Sequence, residues 1–326
     1  MGDNGKKYWI GFDLGGTKMF CVLFDHKFNV VASERKKTKA EEGAAGGLDR
    51  MMNMIETVMD EAHIDRGDLG GIGIGSPGPL DLDHGIILEA PNLGWKNVEL
   101  KDVLQKKFKV PVLVANDVDA GTFGEYRFGA AQKARCAVGI FPGTGIGGGC
   151  VYDGHLLRGK TGSCMEIGHI MVSNNGRLCG CGRRGCLETV ASRLAIAAEC
   201  AMAVYRGEAP ILQQLAGTDI SKIRSGTLAE AIQQGDKVVE KIVRQAAKHL
   251  GLGVGNMINL LAPDVVVLGG GLVEAMKDIF LEEVRDAVSK RAMISFAKSV
   301  TIVAAKLDDL ATAMGAAALA AESVGS

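Results

Sequence analysis

The sequence predicts an α/β protein with mixed sheets, organised in two halves. Three observations predict it. Apolar runs of strand length alternate with segments of helical spacing along the whole chain. A strand–glycine turn–strand pattern at 8–24 recurs at 136–153. The length, 326 residues, corresponds to two domains at roughly 150 residues each.

Residues 8–14 (YWIGFDL) and 18–24 (KMFCVLF) read as strands, with Gly15-Gly16 as a tight hairpin between them. A third strand follows near 29–36. Leu48, Met51, Met52, Ile55, Val58 and Met59 fall at helical spacing and predict a helix over 47–63. GGIGIGSPGPLD (70–81) reads as a buried strand running into a Gly-Pro turn. PVLVAND (111–117) is a buried strand ending in Asn-Asp, and 118–127 continues as a helix. In the second half CAVGIFPG, from 136, is a strand, GTGIGGG a glycine turn and CVYDG the returning strand. A Gly- and Cys-rich irregular stretch follows near 161–189. Helices are expected over 190–206 and 227–262, and a buried strand with terminal glycines at 264–271 (DVVVLGGG). A helix near 272–290, a strand at 299–304 and an Ala-rich helix near 307–322 close the chain. No low-complexity linker marks the boundary, which is placed near 120–130.

Composition narrows the function. Lys plus Arg is 37 and Asp plus Glu 38, a net charge of −1, which argues against a general nucleic-acid or membrane-surface binder. Aromatics are 5%, too few for a base-stacking platform. The start, MGDNGKKYWIGF, has no signal-peptide core, and Lys6 stands where a myristoylation motif wants Ser or Thr. No window reaches ~18 apolar residues, so no membrane span is expected and a cytoplasmic location is. Glycine is the outlier at 45 residues, about twice the usual share, which implies tight turns and close backbone approaches. The eight cysteines do not form an even disulfide framework; three crowd into one short stretch, as reduced thiols and a metal site would.

The chemistry-bearing motifs are five. In Asp13-Leu14-Gly15-Gly16-Thr17-Lys18, the two glycines let backbone N–H groups approach an anion, Thr17 adds a hydroxyl, and Asp13 at a strand end suits Mg²⁺; a plain hairpin with a surface lysine is the bland reading. Gly143-Thr144-Gly145, opening GTGIGGG, is a second such turn. It is neither a Walker loop nor a dinucleotide fingerprint, because it runs into a strand. Two of them, one per half, suit a polyphosphate clamped between domains. Gly269-Gly270-Gly271 ends a strand where α/β sheets bind ligands and leaves room for a base or ribose; tight strand-to-helix packing explains it equally. Asn116-Asp117 ends a buried strand, where Asp117 is placed to take a proton from a substrate hydroxyl and Asn116 to orient that substrate. An Asp before a helix is also a standard cap. Finally, His169, Cys179, Cys181 and Cys186 form a closed Cys₃His set suited to structural Zn²⁺. Glu166 stands three residues before His169, whose second ring nitrogen is left to face a ligand, and Glu188 two after Cys186. Carboxylates, an imidazole and an Asn together suit a sugar.

Taken together, DLGGTK (13–18), GSPGPLD (75–81), PNLGW (91–95), AND (115–117), GTGIGGG (143–149), EIGH (166–169), CGCGRRGCLE (179–188) and LGGG (268–271) resemble the ROK family of repressors, open reading frames and sugar kinases, specifically its glucokinase-like members. The resemblance implies an actin-like ATPase fold of two ribonuclease H-like domains around a nucleotide/sugar cleft. The smaller would span 1–122 and be joined by the C-terminal helix at about 307–326; the larger would span 123–306. ATP phosphates would lie against 13–18 and 143–149 and adenosine near 269–271. The sugar would be held by Asn92, Asn116, Asp117, Glu166, His169 and Glu188, with backbone help from Gly78, and Asp117 would be the base. The sequence departs from the family pattern at Cys164-Met165, where small residues such as Ala-Gly are usual before the Glu, and at Ser76.

The activity so implied is ATP- and Mg²⁺-dependent phosphorylation of a hexose, first of all glucose, at the 6-hydroxyl. Fructokinase, mannokinase, allokinase and N-acetylhexosamine kinase are the family alternatives. A non-catalytic sugar-responsive regulator is the distant one. A repressor needs a helix-turn-helix ahead of the first hairpin, and the 12 residues before Asp13 are expected to be too few. A homodimer, or a tetramer, is expected from the resemblance alone.

Overall fold

The computed structural model describes residues 8–160 and 164–325. The N-terminal reading at Met1–Lys6, and 161–163 of the irregular stretch, lie outside the described residues.

The first half contains β1 (Tyr8–Leu14), β2 (Lys18–Asp25), β3 (Val30–Lys37), α1 (Gly43–Glu61), β4 (Leu69–Ser76), β5 (Leu80–Asp81), β6 (Ile86–Ala90), β7 (Trp95–Val98), α2 (Leu100–Phe108), β8 (Val112–Asn116) and α3 (Asp117–Arg127). There follow β9 (Cys136–Pro142), β10 (Ile146–Tyr152), β11 (His155–Leu156), α4 (Glu188–Ala191), α5 (Arg193–Tyr205), α6 (Pro210–Leu215), α7 (Ser225–Gln233) and α8 (Lys237–Leu261). The chain ends with β12 (Val265–Leu268), α9 (Gly271–Ala275), α10 (Lys277–Arg291), α11 (Ile294–Ser299), β13 (Thr301–Ala304) and α12 (Ala311–Gly325).

The repeat read from the two glycine turns extends to whole sheets. One sheet has the order β3-β2-β1-β4-β8 and the other β11-β10-β9-β12-β13. In each, an antiparallel three-strand meander is followed by two parallel strands on its far side. A small sheet, β5-β6-β7, was not anticipated from the sequence. Its strands are two to five residues long and do not alternate cleanly, so they carry no readable period.

Three expected helices are divided, that near 272–290 at Met276, whose extended φ of −139° separates α9 from α10. The 227–262 stretch breaks at Gly235, whose φ of 98° is left-handed, and Asp236 then caps α8 by accepting from the Val239 N–H at 3.2 Å. The 190–206 stretch breaks at Ser192, which caps α5 through the Ala195 N–H at 3.2 Å.

The helices α3 and α12 lie together in the middle of the molecule. α12 crosses β1 and β4 of the first sheet, while α3 packs on α12 and on β9 and β10 of the second. The residue pair 122/123 falls inside α3. α12 comes so close because glycines face it: a Cβ on Gly11 would run into the Ala313 carbonyl and one on Gly73 into the Ala316 carbonyl. Each sheet also has a separate apolar core; Phe12, Met51, Trp95 and Phe108 fill the first, and Val138, Leu250, Val254 and Phe280 the second. Among the described residues no helix is long and apolar enough to cross a membrane.

Gly73→Ala should destabilise the protein by about 1–3 kcal/mol, because backbone rather than a movable side chain occupies the space. Gly67→Ala, with nothing within 4 Å, is the neutral control. Urea unfolding midpoints of the two variants test the comparison.

Candidate active site

α3 begins where β8 ends, and Asn116 caps it. The Asn116 Oδ1 accepts from the Val118 and Asp119 N–H groups at 2.9 and 3.2 Å. The cap reading considered for Asp117 thus falls one residue earlier. Asp117 Oδ1 also accepts from the Val118 N–H at 2.9 Å. Burial pushes its carboxyl above the ordinary value of 3.8, against the pull of the backbone N–H groups beside it.

Beside it opens a cavity of about 450 Å³, lined by Gly78, Pro79, Leu80, Leu82, Asn116, Glu166 and His169. Four of the residues expected around a sugar therefore share one cavity. Of the other three, Asp117 directly follows Asn116, while Asn92 and Glu188 do not line it. Asn92 stands against the first glycine hairpin, its Cβ 3.0 Å from where a Gly16 Cβ would be. Glu188 is turned toward the cysteines: its Oε1 accepts from Cys179 Sγ at 3.1 Å and lies 3.8 Å from His169 Nδ1. Glu166 is presented by a strained turn, since Met165, where the family pattern has a small residue, adopts a left-handed φ of 57°.

The first hairpin is braced by a residue the sequence reading passed over. Thr38, fully buried, donates its hydroxyl to the Gly15 carbonyl at 2.6 Å and its N–H to the Thr17 carbonyl at 3.0 Å. Lys18, expected to meet phosphate, is paired with Asp309 at 3.4 Å, and Arg35 pairs with the same carboxylate. The second hairpin closes through Gly143 N–H to Gly145 carbonyl at 2.8 Å, and Thr144 projects outward. Gly269 lines a separate cavity of about 350 Å³ with Val273, Glu274, Lys277, Ala304 and Asp309. It also packs against Phe141, whose ring carbons would stand 2.5 and 2.7 Å from a Cβ there, so room and close packing are both present. Gly270 has a left-handed φ of 81°, and Gly271 opens α9.

Acid dominates the floor between the hairpins. Burial, then the charges of Asp117 and Asp309, push the Asp13 carboxyl up to about 7, against the pull of Lys18 and Arg35. Burial likewise pushes Asp119 up to about 7; Arg158 opposes this, and Asp117 and Glu166 add to it. The Asp13 carboxyl is the hard oxygen donor type that Mg²⁺ takes.

The Cys₃His set comes together. One ligand atom each from His169, Cys179, Cys181 and Cys186 lies within 4.8 Å of the others. The Cys181–Cys186 Sγ separation is 3.7 Å and Cys179 Sγ to His169 Nδ1 is 3.6 Å. Zn–S bonds of about 2.3 Å require tetrahedral edges of about 3.8 Å, which these two separations match, so the donor set suits Zn²⁺. Gly185 makes the fold possible, with φ 79° and no room for a Cβ beside the Ser173 carbonyl. Because Nδ1 faces the thiols, Nε2 is the imidazole nitrogen left for the cavity. Wild-type protein should contain one zinc per chain by elemental analysis. Cys181→Ser should lose it and unfold at a markedly lower temperature, since structural zinc contributes on the order of 10 kcal/mol in small peptides.

Comparison with known proteins agrees with this geometry. Residues 9–323 match the model of the ROK family. A glucokinase of Thermotoga maritima is 34% identical over 317 residues, 97% of this chain and 98% of that one. A xylose repressor of Caldicellulosiruptor bescii is 30% identical over 310 residues, 95% of this chain and 77% of the repressor. A crystal structure of a ROK family glucokinase from Streptomyces griseus, in complex with glucose and AMPPNP, superposes with a TM-score of 0.82 at 31% identity, covering 97% of this chain and 99% of that one. With its duplicated sheets, two glycine hairpins and Cys₃His cluster, this chain belongs to the ROK family.

Proposed function

We propose that the protein transfers the terminal phosphoryl group of ATP to the 6-hydroxyl of a hexose, with glucose the foremost substrate. The observation that carries this reading is the placement of Asp117. It heads the helix that touches both halves, directly after Asn116 at the edge of a polar cavity. The cavity volume falls within the ~300–1,000 Å³ usual for small-ligand sites.

The hexose enters the cavity beside Gly78, Glu166 and His169, which offer an acceptor, a carboxylate and an imidazole to its hydroxyls. Asp117 takes the proton from the 6-hydroxyl. That oxygen forms its bond to the γ-phosphorus as the bond to the ADP oxygen breaks, so the products are hexose 6-phosphate, ADP and a proton. Transfer is in line, and positioning and charge stabilisation supply most of the acceleration. The hairpins at 13–18 and 143–149 hold the phosphates, and closure of the two halves, taken as 1–122 with 307–326 against 123–306, excludes water as a competing acceptor. Asp13 is the residue placed to hold Mg²⁺, which when bound supplies charge neutralisation for the donor phosphates.

Likeness to a xylose repressor favours a second reading, sugar-dependent regulation without catalysis. One coupled assay with ATP and glucose, fructose, mannose, allose or N-acetylglucosamine separates the two; sugar binding without any turnover would establish the regulator. For the kinase, Asp117→Asn should keep hexose affinity and lower turnover by at least about 10²-fold. The wild-type kcat/KM profile should fall on the acid side at a pH above 3.8, because the basic form of a raised carboxyl is lost as pH drops through its pKa. Near-normal turnover of Asp117→Asn would remove Asp117 from the role of base.

A further inference from the structure

The cations of the two hairpins differ in one respect. Lys18 and Arg35, at the first, share the Asp309 carboxylate. Arg193, at the second, has no such partner: among the described residues no carboxylate pairs with it. Arg193 is the first residue of α5, and it is tied to the hairpin twice. Its backbone N–H donates to the Gly143 carbonyl at 2.9 Å, and its guanidinium donates to Thr144 Oγ1 at 2.9 Å. The side chain is half-buried, and the nearby charge that acts on it is another guanidinium, Arg224. Both the burial and, secondarily, Arg224 depress its pKa.

Arg224 is oriented by its Nε donating to the Ser221 carbonyl at 3.0 Å. It immediately precedes Ser225, whose Oγ stands 3.6 Å from where a Cβ on Gly271 would be. Thr144, Arg193, Arg224, Ser225 and Gly271 therefore run from the second hairpin to the third glycine cluster. Arg224 is exposed, but Arg193 is half-buried with a like charge beside it, an arrangement that an anion against the guanidinium would relieve. A guanidinium fork matches phosphate oxygens, and four of its five N–H donors remain after the Thr144 bond.

We propose that Arg193 is a phosphate-binding residue for the nucleotide donor, with Arg224 as a second cation facing the same polyphosphate. This rests on the kinase reading. It assigns the cationic contact to the second hairpin, whereas the sequence placed it at Lys18.

Calorimetric titration of the full-length protein with ATP, ADP, adenosine and glucose tests the assignment. Arg193→Ala should weaken ATP and ADP binding at least about tenfold, as loss of a charge-assisted hydrogen bond does. Adenosine and glucose affinities and the melting temperature should stay at wild-type values, and Arg193→Lys should recover part of the ATP affinity. The loss should shrink as salt is raised, since it is electrostatic. Unchanged ATP affinity in Arg193→Ala overturns the proposal. So does an equal loss for adenosine or glucose, which would mark a role in folding alone. A wild-type protein that binds glucose but no ATP overturns the kinase reading itself, a result that the mutant comparison cannot imitate.

Discussion

The close packing of α12 against glycine-bearing strands is the constraint on which the remainder depends. Without side chains at 11 and 73, the last helix lies directly on the first sheet, and α3 lies on the last helix. Gly124 and Gly315 continue the contact between the two helices, where added carbons would meet Ala311 and Ala120 carbonyls. Two polar ties then fix α3 along its length. Thr312 Oγ1 donates to the Asp117 carbonyl at 3.3 Å, at the start of the helix. Near its end the fully buried Glu125 accepts from the Lys306 and Leu307 N–H groups at 2.9 and 2.7 Å, and from Ala130 N–H at 2.7 Å. A buried carboxylate is tolerated where backbone donors surround it. The position of the Asp117 carboxyl is therefore set by residues some two hundred positions away in the chain.

Charge in the cleft follows from the same geometry. Bringing β1, α3 and the segment before α12 together puts Asp13, Asp117 and Asp309 within reach of one another's fields. The repulsion that Asp13 meets there is a cost of folding that cations or a bound proton offset. Lys18 and Arg35 offset part of it at Asp309, with Arg35 also lying 3.8 Å over the Phe20 ring. At the second hairpin stands Arg193, with which no carboxylate pairs among the described residues.

Local chemistry that depends on short spacing was legible in the sequence. The Cys₃His set is one case, because four ligands within 18 residues must fold close together whatever surrounds them. The glycine hairpins are another, since their strands pair with neighbours in the chain. Contacts across long separations were not legible. Nothing in the local pattern ties Thr38 to the first hairpin, Arg193 to the second, or Asp309 to Lys18, because each needs the sheet order to be known first. Asn116 and Asp117 fall between these cases. Either residue type caps a helix, and only the backbone turn at the end of β8 decides that the amide takes the cap. Glu188 was expected to face a sugar from its place after Cys186 and from the family resemblance; what the spacing did not show is that its Oε1 accepts from Cys179 Sγ.

Met165 shows how one substitution within a shared fold can matter for what the cavity accepts. A left-handed conformation costs a residue with a Cβ about 1–2 kcal/mol relative to glycine. Here it is held by neighbours on both sides. The Met165 carbonyl accepts from the Ile167 N–H at 2.6 Å, and it lies 2.6 Å from where a Cβ on Gly148 would stand. The turn cannot relax toward ordinary backbone without disturbing β10, the strand that follows the second hairpin. A glycine in its place would hold the same φ without strain and would leave Glu166 freer to move. The methionine instead makes one presentation of Glu166 the persistent one. Discrimination between hexoses depends on which hydroxyl finds its partner already in place. Under the proposed function, a fixed Glu166 would narrow the set of sugars that fit, at the expense of stability in this turn.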